Sequence, residues 1–375
     1  MRVAHVGFHR DPMDREPLDL LAAWPTLGDV AAAAAATGLE VVVIQAASRD
    51  AIIERGDVRY VFVAERSARA LPAAWWVPRR LLEAVCDACP DVAHVNGLSF
   101  PFATRALAER LQAVPVLVQD HGSRAPRGLR RLVHCWGFAP IAGVAFTARA
   151  QADPFFRTGV FRDGLPVLEV LESSTRMTPI DGREARERSG ISGDPCCVWL
   201  GHLDANKDPL TVLTALSRAA ASLPDPQLWC CFKSAPLLNA VGRRLADDPN
   251  LRGRVHLLGA RPHADIPLLL SAADFLLQGS HVEGSGYAVI EALACGTTPL
   301  VTDIPSLRRI TGDGSVGALS RPGDHEAMAR AIVEWSRRDR GALRAAARAH
   351  FERALSFDVV GRELRAAYER VVQRP

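Results

Sequence analysis

A chain of 375 residues with 48% hydrophobic side chains has enough apolar material for two ordinary cores, and this excludes an intrinsically disordered protein. Its 45 basic and 42 acidic residues leave a formal net charge of +3, too small a surplus to imply a polyanionic partner. Aromatic residues at 6% argue against a stacking platform for single strands, so no nucleic-acid partner is expected.

The first half opens on an apolar run, residues 3–8, that reads as a buried strand and lacks the longer apolar stretch of a signal peptide. A helix through residues 30–36 ends at Gly38, and its alanine run is too short to cross a bilayer. Strands follow at 41–44 and 58–63, a helix at 79–86, a strand at 92–95, a helix at 104–111 and a strand at 114–119. The segment 178–195 is polar and rich in Gly and Pro, and reads as loose. The rhythm then restarts, with strands at 196–200, 228–232, 255–258, 275–277 and 298–301. Helices alternate with them at 210–221, 237–245, 266–270 and 287–294. Helical sequence dominates from His325, with a late break at Ser356 and Phe357. Short apolar strands alternating with helices indicate an α/β protein with parallel, doubly wound sheets. The expected division is 1–179, 180–355 and a final helical segment, 356–375, that crosses back to the first domain.

The eight cysteines form no disulfide or zinc pattern. Cys86 and Cys89 have a C-x-x-C spacing with no second pair, and Cys196/Cys197 and Cys230/Cys231 lie inside apolar runs, where small thiols are packing groups. Free thiols in this number suit a reducing compartment, so a cytoplasmic location is expected, with the small positive surplus compatible with peripheral attachment at the inner membrane face.

The strongest local signal is the run Glu283-Gly284-Ser285-Gly286-Tyr287-Ala288-Val289-Ile290-Glu291-Ala292-Leu293-Ala294-Cys295-Gly296. Two glycines allow a tight loop ahead of an apolar helix, Gly296 can end that helix, and a helix N-terminus offers amides to an anion. The two glutamates can accept hydroxyl hydrogen bonds on either side of a phosphate. On local chemistry alone, a solvated loop and helix fit equally well.

This run resembles the retaining GT-B glycosyltransferases of family 4, whose signature is two glutamates separated by seven residues and followed by a segment like Glu291-Ala292-Leu293-Ala294-Cys295-Gly296. A second match is Gly201-His202-Leu203-Asp204-Ala205-Asn206-Lys207-Asp208-Pro209, where the family has Gly-Arg-Leu and then Lys-Gly or Lys-Asp-Pro. The resemblance implies a GT-B fold: two facing Rossmann-like, doubly wound domains with a deep interdomain cleft. It implies that Glu283 contacts the transferred sugar, Glu291 the nucleotide ribose, and Lys207 the donor diphosphate. Gly284, Ser285, Gly286 and Tyr287 would lie beside the donor. His202 departs from the family's arginine, and a histidine lacks both the permanent charge and the donor fork. Arg261 is a further donor-side candidate, and the loop at Asp303, Ile304 and Pro305 borders the same region.

In the first half, Asp120-His121-Gly122 resembles the family segment in which a histidine approaches the reacting sugar or acceptor, and His94 also falls where a strand is expected to end. Arg124, Arg127, Arg130 and Arg131 follow, with Trp136 and Phe138 as apolar neighbours; this reads either as a face for a phosphate-bearing or lipid-linked acceptor or as a solvated basic helix. The resemblance therefore implies a hexosyltransferase that moves sugar from a nucleotide-diphosphate sugar to a hydroxyl-bearing acceptor in polysaccharide, glycolipid or metabolite biosynthesis. Catalysis would rest on His121, Glu283 and Lys207, with no cofactor and no metal. The alternatives are a GT-B sugar-nucleotide epimerase or phosphorylase, and a non-catalytic nucleotide-sugar-binding protein.

Overall fold

The computed structural model describes residues 1–65 and 75–373. It divides into two units, Met1–Ser174 with Phe357–Pro375, and Thr175–Ser356.

The first unit is built on β1 (Arg2–Gly7), β2 (Glu40–Ala47), β3 (Ala51–Arg55), β4 (Val58–Ala64), β5 (Val92–Asn96), β6 (Val116–Gln119), β7 (Gly143–Phe146) and β8 (Val167–Glu169). They form one sheet in the order β3-β4-β2-β1-β5-β6-β7-β8, and all neighbours are parallel except β3 and β4. The central strands are apolar throughout, as covering by helices on both faces demands; β2 is buried from Val41 to Ala47. Its helices are α1 (Pro17–Ala23), α2 (Pro25–Ala35), α3 (Arg79–Asp87), α4 (Pro101–Leu111), α5 (Leu129–Phe138) and α6 (Asp153–Arg157).

The second unit carries β9 (Cys196–Leu200), β10 (Gln227–Cys231), β11 (Val255–Gly259), β12 (Phe275–Gln278), β13 (Thr298–Thr302) and β14 (Ala318–Ser320). Its sheet is parallel, in the order β11-β10-β9-β12-β13-β14. The helices are α7 (Gly182–Ser189), α8 (Pro209–Ala220), α9 (Leu238–Asp247), α10 (Ile266–Ala272), α11 (Tyr287–Ala294), α12 (Pro305–Ile310), α13 (His325–Ser336) and α14 (Arg340–Ala354). The chain finishes with α15 (Phe357–Val372), which belongs to the first unit and packs on α2. Gly361 permits that contact, because a Cβ there would collide with the Ala33 carbonyl oxygen.

Several elements depart from the sequence reading. The segment expected to be loose contains α7, capped by the Asp181 carboxylate, which accepts from the Arg183 and Glu184 amides at 3.0 and 3.1 Å, and closed by Gly190 in the left-handed region. Only Ala185 of this helix is buried, so it has almost no apolar stripe to betray it. The hairpin partner β3 was unread because it is a half-exposed edge strand, although Gly56 and Asp57 form the turn typical of such hairpins. The short strands β7, β8 and β14 were also unread.

Inside the first unit, α15 is fastened by a buried polar knot. His5 on β1 and His94 on β5 are register neighbours, and the Tyr368 hydroxyl lies 2.8 Å from His5 Nε2 and 2.7 Å from His94 Nδ1. All three are buried. A hydroxyl has one proton, so it donates to one imidazole and accepts from the other. His94 thus sits within a strand that continues to Asn96, not at a strand end as expected, and its role is in the core. Burial depresses both imidazoles, His5 to about 4 and His94 well below its ordinary value, where His5 and His121 add to the effect.

Candidate functional site

In the second unit the chain changes direction across the sheet at β9: β10 and β11 are laid down on one side, and β12, β13 and β14 on the other. Crevices beyond the C-terminal ends of strands at such a switch point are where open parallel sheets hold ligands. The loops that leave β9 and β12 there carry the two sequence motifs.

The first loop, 201–208, is an internally bonded turn. The Asp204 carboxylate accepts from the Lys207 amide at 2.8 Å, and Asp208 adopts a left-handed conformation while its carboxylate caps α8 through the Thr211 amide at 3.1 Å. The second loop crosses it closely. Gly279 is required at the crossing, since a Cβ would stand 2.8 Å from the Asp208 carbonyl oxygen. Asn206 donates to the Val282 carbonyl at 2.9 Å, the His281 amide donates to the Asn206 carbonyl at 2.8 Å, and the His281 ring meets Asp208 at 3.1 Å. These bonds set the backbone from which Lys207 and Glu283 project.

Lys207 Nζ and Glu283 Oε1 form an ion pair, and Gln278 Nε2 donates to the same carboxylate oxygen at 3.3 Å. Both charged side chains are mostly buried, at 18% and 11% exposure, so each charge is kept in place largely by the other. Ser306 at the start of α12 donates to the Glu283 carbonyl at 3.2 Å and fixes the loop from the side of β13. Around this pair, Gln278 Oε1, Asn206 Oδ1 and Ser280 Oγ are buried without a hydrogen-bond partner. Unpaired buried polar atoms are costly, and several beside one ion pair mark a place where a polar ligand would recover the missing bonds.

The loop continues through Gly284 and Ser285, both partly exposed, to Gly286, which is buried at φ +61° and precedes α11. A Cβ at Gly286 would approach Leu307 to 2.5 Å, so glycine is required both for the conformation and for the packing of α11 on α12. Tyr287 begins α11, and Glu291 lies five residues into the helix with only 5% exposure. Its carboxylate is held 2.8 Å from His263 Nε2, on the loop between β11 and α10. Burial pushes the Glu291 carboxyl up, and the His263 contact offsets part of that.

Of the expected donor-side residues, the structure joins Lys207 directly to Glu283 and gives Glu291 a separate partner. His202 and Arg261 are exposed, and neither side chain bonds Lys207, Glu283 or Glu291. His263, Gln278, Asp208, His281 and Ser306 were missed. Gln278 was legible in principle, as the last residue of a strand that feeds the glutamate loop; His263 was not, since nothing in the sequence links it to a carboxylate 28 positions away. In the first unit, His121 lies 3.4 Å from Glu172, three residues past β8, and 3.3 Å from Asn96 at the end of β5. Its surroundings lower its charge by burial, but Glu172 and then Asp120 outweigh this and raise its pKa. Asp120 itself is buried, folded into a turn by the Gly122 and Ser123 amides at 2.9 Å, with burial raising its pKa.

Residues 181–350 match the family model described as glycosyl transferases group 1. That match lies within the second unit, which therefore resembles the group 1 glycosyl transferases. A GDP-mannose:cellobiosyl-diphosphopolyprenol alpha-mannosyltransferase from Xanthomonas oryzae pv. oryzae is 24% identical over 288 residues, covering 75% of this chain and 74% of that protein. The solved structures similar to this chain include sucrose-phosphate synthase from Thermosynechococcus elongatus, with a TM-score of 0.66, 18% identity and coverage of 99% and 98% of the two chains. Anabaena HepE in complex with UDP-glucose superposes with a TM-score of 0.64 at 16% identity, covering 99% of this chain and all (100%) of that one. The fold is thus GT-B.

Proposed function

We propose that this chain takes a hexosyl group from a nucleotide-diphosphate sugar seated at the β9/β12 switch point and transfers it, with retention of anomeric configuration, to a hydroxyl-bearing acceptor. The observation that carries the reading is the Lys207–Glu283 pair, set among buried polar atoms that lack partners. A diphosphate can take over the Lys207 ammonium, which frees the Glu283 carboxylate to accept hydrogen bonds from sugar hydroxyls. The exchange keeps both charges compensated, which a part-buried pair requires. As the bond to the anomeric carbon breaks, negative charge grows on the departing diphosphate, and Lys207 with the amides at the start of α11 would stabilise it. Gly284, Ser285, Gly286 and Tyr287 line this path. Glu291 is assigned to the ribose hydroxyls, with His263 holding its carboxylate in position.

His121 is assigned to the acceptor side, on its sequence pattern and its contacts with Glu172 and Asn96. His202 and Arg261, exposed on loops, are assigned to the outer edge of the diphosphate site. No metal ion or other cofactor is needed in this scheme, and the peripheral place at the cytoplasmic membrane face belongs to the same proposal.

The test is transfer by the purified chain from UDP-, GDP- and ADP-sugars to a panel that includes diphosphopolyprenol-linked oligosaccharides. Nucleoside diphosphate and product are followed by mass, and the new anomeric bond by NMR. A retained configuration, with product lost in Glu283→Ala, supports the proposal. Undiminished transfer in that variant, an inverted product, or an epimerised donor without acceptor would each refute it.

A further inference from the structure

On α5, the residues Leu129, Leu132 and Trp136 are exposed by 82%, 57% and 46%. They stand at positions i, i+3 and i+7, one face of a helix. A soluble surface tolerates single exposed apolar residues, but three on one stripe mark an interaction site. The stripe is continued by an aromatic ladder: Trp136 lies 4.7 Å from Phe102 on α4, and Phe102 stacks at 4.9 Å on Trp75, itself half exposed. Arg105 sits 4.4 Å over the Trp136 ring. Phe138, expected to share this surface, is instead buried against Phe161.

The charges around the stripe are mostly basic, although Glu109 pairs with Arg105 at 2.7 Å beside Trp136. No Asp or Glu occurs between Asp120 and Asp153, whereas Arg124, Arg127, Arg130 and Arg131 all lie in that span and are exposed. Beside them, Arg127, Arg131, Arg157 and Arg162 line an open hollow of about 740 Å³ in which Asp163 is the acidic residue. Such a surface has apolar side chains to enter an interface, rings that prefer the headgroup level, and guanidinium groups to meet phosphates. A protein partner of matching charge would leave the long Leu129 and Leu132 side chains and the open basic hollow without a reason to adjoin.

We infer that α5 is a membrane-docking face, on which Leu129, Leu132 and Trp136 enter the headgroup region of an anionic phospholipid bilayer while Arg124, Arg127 and Arg130 pair with lipid phosphates. This rests on the peripheral membrane placement in the proposed function and names the face that carries it, but it does not depend on the donor site in the second unit. With ten residues α5 is too short to span a bilayer, and no helix among the described residues is long and apolar enough to cross a membrane.

The experiment is co-sedimentation of the full chain with vesicles of phosphatidylcholine alone and of phosphatidylcholine containing phosphatidylglycerol, at low and high salt. The expected result is binding that needs phosphatidylglycerol and falls at high salt. Leu129→Ser with Leu132→Ser, and separately Arg127→Glu with Arg130→Glu, each lower the vesicle partition coefficient by about tenfold or more. These side chains are exposed, and unchanged thermal melting confirms that the variants fold. Absence of binding to the anionic vesicles, or binding unaffected by both variants, overturns the inference. So does light scattering that shows a dimer which the Leu variants dissociate, since the stripe is then the contact between two copies. Donor hydrolysis or transfer is not read in this experiment, so its outcome is separate from that of the transfer test.

Discussion

The two sheets share a design but use their switch points in opposite ways. In the second unit the polar residues lie at the last position of β12 and on the crossing loops beyond β9 and β12, and leave Gln278, Asn206 and Ser280 with unsatisfied atoms. In the first unit the direction change falls between β1 and β5, and the titratable residues there, His5 and His94, lie within the strands and are closed off by Tyr368. Polar groups gathered at strand ends next to an ion pair can turn to a ligand; those inside the strands are tied through His5 Nε2 and His94 Nδ1 to the last helix of the chain, which leaves His94 Nε2 buried and unpaired within the core.

The comparison is broken most severely at Lys207. Lys207→Ala should lower kcat/KM for transfer by about 10²- to 10³-fold, the loss typical of one charge-stabilising group in a site that excludes water. Melting temperature is the control, because the variant also leaves Glu283 part-buried without its ammonium. A loss of less than tenfold would show that the pair is structural and that the donor lies elsewhere.

Acid should act on the first unit. Both imidazoles of the knot are harder to protonate in the folded chain than in the unfolded one, so their contribution to stability is intact above the unfolded value near 6.5 and is lost as the pH falls toward the folded values. His5 alone, depressed to about 4, accounts for on the order of 3 kcal/mol between those limits. Urea unfolding followed from pH 7 to pH 4 measures it; a flat profile would mean that the imidazoles are not buried as described. Tyr368→Phe should cost about 1–3 kcal/mol at pH 7, because it strands a buried ring nitrogen on each histidine. Transfer per folded molecule should stay within twofold, which separates this knot from the donor site.

Sequence reading reached the second region better than the first, for a physical reason. The strands were apolar runs, and α11 was read as residues 287–294, its observed span, because glycines bracket a helix that is apolar but for Tyr287 and Glu291. Lys207 and Glu283 were legible because each lies in a short motif whose loop is built from neighbouring residues. His94 was misplaced because one more residue of strand, Asn96, moves a side chain from an edge into the core, and strand ends are the least legible feature of a chain. The partnership of Tyr368 with His5, 363 residues away, depends wholly on how α15 packs, which Gly361 permits but does not announce.

His263 sharpens the comparison by the smallest amount. It touches Glu291 rather than any atom assigned to bond breaking, and its ring is 65% exposed, so its bond to the carboxylate is open to competition from water. His263→Ala should therefore raise the KM for the donor by about three- to tenfold, the equivalent of roughly one ordinary hydrogen bond open to water, and leave kcat within twofold. His263→Gln, which can still donate to the carboxylate, should recover most of the loss. A fall in kcat with KM unchanged would place His263 in the chemical step and would require Glu291 to face the reacting carbon instead of the ribose. The split between the two constants thus decides whether the second glutamate holds the nucleotide or takes part in the transfer.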